Sequence, residues 1–73
     1  NSKDRLALAL ASYNIGFANL RDAQKLAVKM GLNPHSWHHM REVLPQLPNA
    51  RGFETVAFVE RVKSFYSYMT AYN

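Results

Sequence analysis

The side chains in this 73-residue sequence that could do chemistry are three histidines, five carboxylates, one tryptophan and a Tyr-Asn pair. His35, His38 and His39 crowd together, and His35 and His39 stand four apart, a familiar zinc spacing on a continuous helix. Ser36, however, reads as a helix start, which leaves His35 outside the helix. His38 and His39 are neighbours and so point about 100° apart. No third carboxylate or thiolate ligand is supplied, so the reading is surface histidines and no metal. The acids are Asp4, Asp22, Glu42, Glu54 and Glu60. A general acid at neutral pH needs burial to raise its pKa. Asp22 and Glu54 are placed near helix N-termini, where the dipole does the opposite, and Glu42 and Glu60 fall on polar faces. None of the five reads as a catalytic acid. Trp37 could stack on a sugar or a base, but a Trp just after a helix cap is more often the anchor of that helix start. Tyr13-Asn14 is left. Asn14 could simply cap a helix while Tyr13 packs, or both could line a polar cleft.

Four helices have to position these residues, and the sequence marks their ends. The first is expected over about 4–14, with Asp4 as cap or in the first turn and Gly16 free to take positive φ beyond the end. Its run "LALALA" is apolar all the way round, which calls for burial by several partners. The second is expected over about 19–30. Asn19 would be its N-cap, Asp22 would complete a variant capping box, and Gly31 would be its stop. Leu20, Ala23, Ala27 and Met30 form its inner face. Asn33-Pro34-His35 is a connector, because Pro disfavours helix at the residue before it. Ser36 caps a third helix that carries Trp37, Met40, Leu44 and Leu47 on one side, and Pro45 ends it near Leu44. After the linker Pro48–Gly52, the fourth runs from about 53 to 71. Phe58, Val62, Phe65, Met69 and Tyr72 make its apolar stripe, widened by Val59 and Tyr66, with Glu60, Ser64 and Ser67 on the wet face. No strand signal, internal repeat or low-complexity segment is present. The fold class is all-α.

Hydrophobic residues at 48% and charged residues at 19% suit a folded chain, and no apolar run is long enough for a membrane span. Absence of cysteine excludes a disulfide framework and leaves the redox compartment open. The net charge of +4 favours anionic partners in a loose way. Arg21, Lys25 and Lys29, four apart, stripe one helix face; such a stripe is usually just solvated. Both ends read as cut, so the expectation is an excised piece of a longer protein.

Several stretches resemble a known family. "Ala11-Ser12-Tyr13-Asn14-Ile15-Gly16" is similar to the Ala-x-Tyr-Asn-x-Gly motif of lytic murein transglycosylases with the lysozyme-like SLT domain. "GFANLRDAQKLAVKMGLNPHSW" resembles the following segment of the membrane-bound F-type branch, including its Pro-x-Ser-Trp helix start. "HHMREVLPQLP" looks like that branch's Leu-Pro ending, and "ARGFETVAFVERVKSFY" like its Arg-Gly-x-Glu helix. One such block would be weak; four in order over residues 6 to 68 are specific.

The resemblance implies four helices forming the C-terminal half of a lysozyme-like domain, with the N-terminal half absent. Members cleave the MurNAc–GlcNAc bond of peptidoglycan without water. One Glu protonates the leaving oxygen and then accepts the proton of the sugar's C6 hydroxyl, giving a 1,6-anhydro product. A second carboxylate is unnecessary because the nucleophile is intramolecular. That Glu belongs to a Glu-Ser motif, and no Glu-Ser occurs here, so no catalytic residue is expected in this chain and it should be inert by itself. The family's cleft residues carry over to Tyr13 and Asn14. A Tyr of the last helix, whose hydroxyl reaches the catalytic carboxylate in many members, is matched by Phe58, and the linker from Pro45 to Arg51 looks shorter than the F-type loop. No cofactor is implied. The expected partners are peptidoglycan glycan strands and the missing half of the domain; the expected location of the parent is the periplasm, at the outer membrane. One competing reading is a small basic helical module that binds nucleic acid or another protein. The fourth helix, too apolar on one side and acidic on the other, gives no recognition-helix pattern, so nucleic acid is not expected as a partner. A second alternative is a catalytically inactive homologue that only holds glycan, which Phe58 would favour.

Overall fold

A computed structural model describes residues 1–48 and 50–71. Its elements are α1 (Ser2–Ile15), α2 (Phe17–Lys29), α3 (Trp37–Val43), a 3-10 turn (Leu44–Gln46) and α4 (Gly52–Thr70). No strand occurs among the described residues, in agreement with the all-α reading. Tyr72, expected on the α4 stripe, lies outside the described residues.

Local chemistry sets most of the helix ends. Asn1 Oδ1 accepts from the Asp4 N–H at 2.9 Å, so Asn1 is the cap of α1 and Asp4 sits in its first turn. Gly16 takes φ 94°, which turns the chain from α1 straight into α2. For that reason α2 starts at Phe17 rather than Asn19. Asn19 is not a cap: its Nδ2 donates back to the Ile15 carbonyl at 2.9 Å, and Asp22 is too deep in the helix for a capping box. The far end of α2 closes as a Schellman motif. Gly31, at φ 76°, donates to the Val28 carbonyl, and the Leu32 N–H donates to Ala27 at 2.8 Å. Ser36 Oγ accepts from the His39 N–H at 3.4 Å, as expected of its cap, and Pro45 converts the end of α3 into the 3-10 turn.

The core is small and built around close helix approaches. Ala7 and Ala11 of α1, Leu20, Ala23 and Ala27 of α2, Trp37, Met40 and Val43 of α3, Leu44 of the turn and Val59 of α4 are buried together. Alanines at the α1 and α2 contacts let the backbones come close enough for Met40 and Leu44 to fill the centre. Trp37 is the anchor expected of it, buried at 3% exposure, and its backbone N–H donates to Asp4 Oδ1 at 3.0 Å. That bond ties the start of α3 to the start of α1. Arg41 reaches Glu60 at 3.0 Å on the surface, joining α3 to α4.

Two expectations of burial are corrected. The apolar helix α1 is covered on one face only: Leu8 and Leu10 are half-buried and Leu6 is 42% exposed. The neighbouring described helices offer only enough surface for the Ala7–Ala11 side. On α4 the buried face is Gly52, Thr55 and Val59, so of the expected stripe only its flank at Val59 is fully buried and the inner face is rotated toward Gly52 and Thr55. Phe65 and Met69 of that stripe are exposed, although the C-terminal part of α4 still runs beside the start of α1, where Lys3 and Leu6 share a depression with Lys63, Tyr66, Ser67 and Thr70.

Candidate functional site

The Tyr13-Asn14 pair lies on the last turn of α1, which packs antiparallel to α4, so the C-terminal end of one faces the N-terminal end of the other. Between them is an open depression of about 400 Å³. Asn14, Ile15 and Asn19 line it from one side, and Ala50, Arg51, Glu54 and Thr55 from the other. It is a polar notch in a mostly apolar interface.

Thr55 organises the notch. It is fully buried, and its Oγ1 donates to Asn14 Oδ1 at 2.7 Å, while the Arg51 carbonyl lies 3.2 Å from the same oxygen. A hydroxyl has one proton, and the shorter contact to Asn14 takes it. The Asn14 carboxamide is thereby held by its oxygen, which leaves its NH2 as a fixed pair of donors at the notch. Asn19 adds a side-chain oxygen, its NH2 being engaged with Ile15. Glu54 and Arg51 stand 3.6 Å apart at the rim, both largely exposed. The notch therefore presents amide donors and acceptors, with one carboxylate and one guanidinium at its edge. That set suits a neutral, hydroxyl- and amide-rich ligand better than a strongly charged one.

Of the three residues carried over from the resemblance, only Asn14 lines this notch. Tyr13 is 85% exposed and projects from α1 into solvent beside it. Phe58 is half-buried, one turn of α4 beyond Thr55, and packs against the core. Thr55, Asn19 and Arg51 escaped the sequence reading. The Arg-Gly-x-Glu-Thr run was on view, but which residue of α4 faces Asn14 depends on how α4 is rotated. The rotation is fixed by Gly52. A Cβ at Gly52 would overlap the Leu44 carbonyl and meet Pro45 N at 3.0 Å, so only glycine lets α4 start against the 3-10 turn.

The histidines separate. His39 Nδ1 accepts from the Asn33 N–H at 2.8 Å and so fastens the connector, while His35 and His38 are exposed. Glu60 is held between Arg41 and Lys63, and Asp4 is held by the Trp37 N–H, which lowers its pKa most. Glu54 remains as the carboxylate at the notch, in the first turn of α4 as expected.

Comparison with known proteins gives these positions a family. No protein-family model matches the chain. Among curated proteins, the membrane-bound lytic murein transglycosylase F of Desulfosudis oleivorans is 44% identical over 88% of this chain. Its Alkalilimnicola ehrlichii counterpart is 48% identical, and that of Shewanella woodyi 44%, each over 85% of this chain. The chain is homologous to the F-type lytic murein transglycosylases. It spans only 15–16% of the length of these relatives. No helix among the described residues is long and apolar enough to cross a membrane.

Proposed function

We propose that this chain is a portion of a peptidoglycan lytic transglycosylase and supplies one wall of its glycan cleft. The observation that supports the reading most is the Asn14 carboxamide, fixed by a buried threonine so that its NH2 is offered at an open polar notch. Sugar hydroxyls and N-acetyl carbonyls are the acceptors such a donor suits, and the exposed Tyr13 ring beside it offers a face to a sugar. In this reading the rest of a lysozyme-like domain, carrying the catalytic Glu, closes the cleft over Tyr13 and Asn14. The parent then cuts the MurNAc–GlcNAc bond by attack of the sugar's own C6 hydroxyl, in the periplasm and at the outer membrane. The residues described here bind and orient glycan and supply no acid.

Titration of the isotopically labelled chain with a soluble GlcNAc–MurNAc oligosaccharide tests this. Amide shifts concentrated at Tyr13, Asn14, Asn19 and Thr55 are expected. A well-dispersed spectrum with no response at those residues would sink the cleft-wall reading. Phe58 supports a second reading, a homologue that holds glycan without cutting it. Normal turnover by the full-length parent with Phe58 in place would overturn that one, and a large gain in Phe58→Tyr would support it.

A further inference from the structure

The cations of this chain are distributed unevenly once the fold is formed. Arg41, Arg51 and Lys63 are each paired with a carboxylate. Lys3, Arg5 and Arg61 form no ion pair among the described residues, and neither do Arg21, Lys25 and Lys29, but only these last three line up on one exposed helix face, that of α2. Their spacing of four places them in a line with a rise of about 6 Å per step. Asp22 lies on the flank of the line without pairing with any of them.

The upper part of that face is shaped as well as charged. Arg21, Lys25 and Val28 of α2 face Pro34 and His35 of the connector across a shallow depression of about 240 Å³. The connector is fastened there: Gln24 Nε2 donates to the Pro34 carbonyl at 3.0 Å, and the Gly31–Leu32 turn closes the end of α2. Val28, 62% exposed, and Pro34 make the floor apolar. Arg21 also lies 5.6 Å over the Phe17 ring, which steadies its guanidinium on the helix surface. The result is a small greasy floor rimmed by two permanent cations and an imidazole.

We propose that this α2 face, whose lining residues are distinct from those of the glycan notch, docks the carboxylate-bearing peptide stems of peptidoglycan. The inference rests on the reading of the chain as a peptidoglycan-active piece. Charge complementarity selects an anion, and the apolar floor selects one with short aliphatic side chains next to its carboxylates. A nucleic-acid backbone fits less well: a line of three cations spans only about 12 Å, and Asp22 beside it repels phosphate.

The test uses the labelled chain and two probes, a free acidic stem peptide of alanine, glutamate and diaminopimelate residues and the same peptide with its carboxylates amidated. The acidic peptide should shift the amides of Arg21, Lys25, Val28 and His35, and the amidated one should not. The double variant Arg21→Gln/Lys25→Gln, which changes only exposed side chains, should bind about fivefold more weakly with an otherwise unchanged spectrum. Raising salt should weaken the acidic peptide as well. Equal shifts from both peptides, or none, would overturn the proposal. Tighter binding of a DNA duplex at the same residues, with a steep salt dependence, would overturn it in favour of phosphate. The sugar titration is read at Tyr13, Asn14, Asn19 and Thr55 and this one at Arg21, Lys25, Val28 and His35, so either proposal can fail while the other stands.

Discussion

The two ends of α4 meet different fates. At the N-terminal end, Gly52, Thr55 and Val59 are buried against α1, the 3-10 turn and α3, alongside Met40, Val43 and Leu44, which expose nothing. At the C-terminal end, Phe65, Tyr66, Tyr68 and Met69 are all about half exposed or more. A periodic stripe states which residues share a face. It does not state whether that face has a partner. The fully buried residues of α4 are at the end where a glycine allows backbone contact.

The comparison breaks most readily at Gly52. Gly52→Ala drives a methyl group into the Leu44 carbonyl, and the obstacle is backbone with a fully buried side chain behind it. A loss of about 3 kcal/mol or more is expected in urea unfolding, a large share of the total for a chain of this size. Met40→Ala, at the centre of the same region, should cost about 3 kcal/mol through the cavity it leaves. A Gly52→Ala protein that melts like the parent would mean the turn can move aside, and α4 would lose its fixed rotation.

That rotation is also what the sequence left hidden. Caps and stops were legible because they are local: Ser36, Gly31 and Pro45 each act on the backbone within a few residues. Trp37 as an anchor was legible from its place after a cap. The inner face of α4 was not, because scoring apolar residues passes over Gly52 and Thr55, which are buried for close approach and for a hydrogen bond. The start of α2 was missed for a related reason. Asn19 has a cap's chemistry, but Gly16 has already turned the chain, and the Asn19 amide bonds backward to Ile15. Of the site, Asn14 was legible as a motif residue, whereas its holder Thr55 lies 41 positions away and depends on packing.

Thr55→Val sharpens the comparison at the notch. It keeps the shape and removes the hydroxyl, so the buried end loses one hydrogen bond while Asn14, being exposed, recovers water. The expected cost is about 1 kcal/mol. Sugar-induced shifts at Asn14 should shrink by more than that modest loss suggests, because the carboxamide is no longer fixed. Thr55→Ser should restore both.

Asp4 gives the tie between α1 and α3 a pH signature. Its folded pKa lies below the ordinary carboxyl value, chiefly through the Trp37 N–H, so folding favours the ionised form. The stabilisation is fully present above the unfolded pKa and disappears as pH falls through the lower folded value. The urea midpoint of the parent should therefore drop across the acidic range below pH 4. Asp4→Ala should start lower at neutral pH and converge with the parent in acid. Parallel curves would mean that the Asp4–Trp37 bond adds nothing to stability.

The smallest effect is expected at the far end of α4. Phe65→Ser removes a large apolar ring, yet Phe65 is 65% exposed. A change within about 0.5 kcal/mol is expected for the dilute chain, and ring removal should improve solubility. A loss approaching that of Met40→Ala would require the ring to be packed in solution. Its dependence on protein concentration would then say against what: a loss that grows with concentration identifies another copy of the chain, and one independent of it places the ring against the rest of its own chain. In either case the contrast between the two ends of α4 would be one of partner.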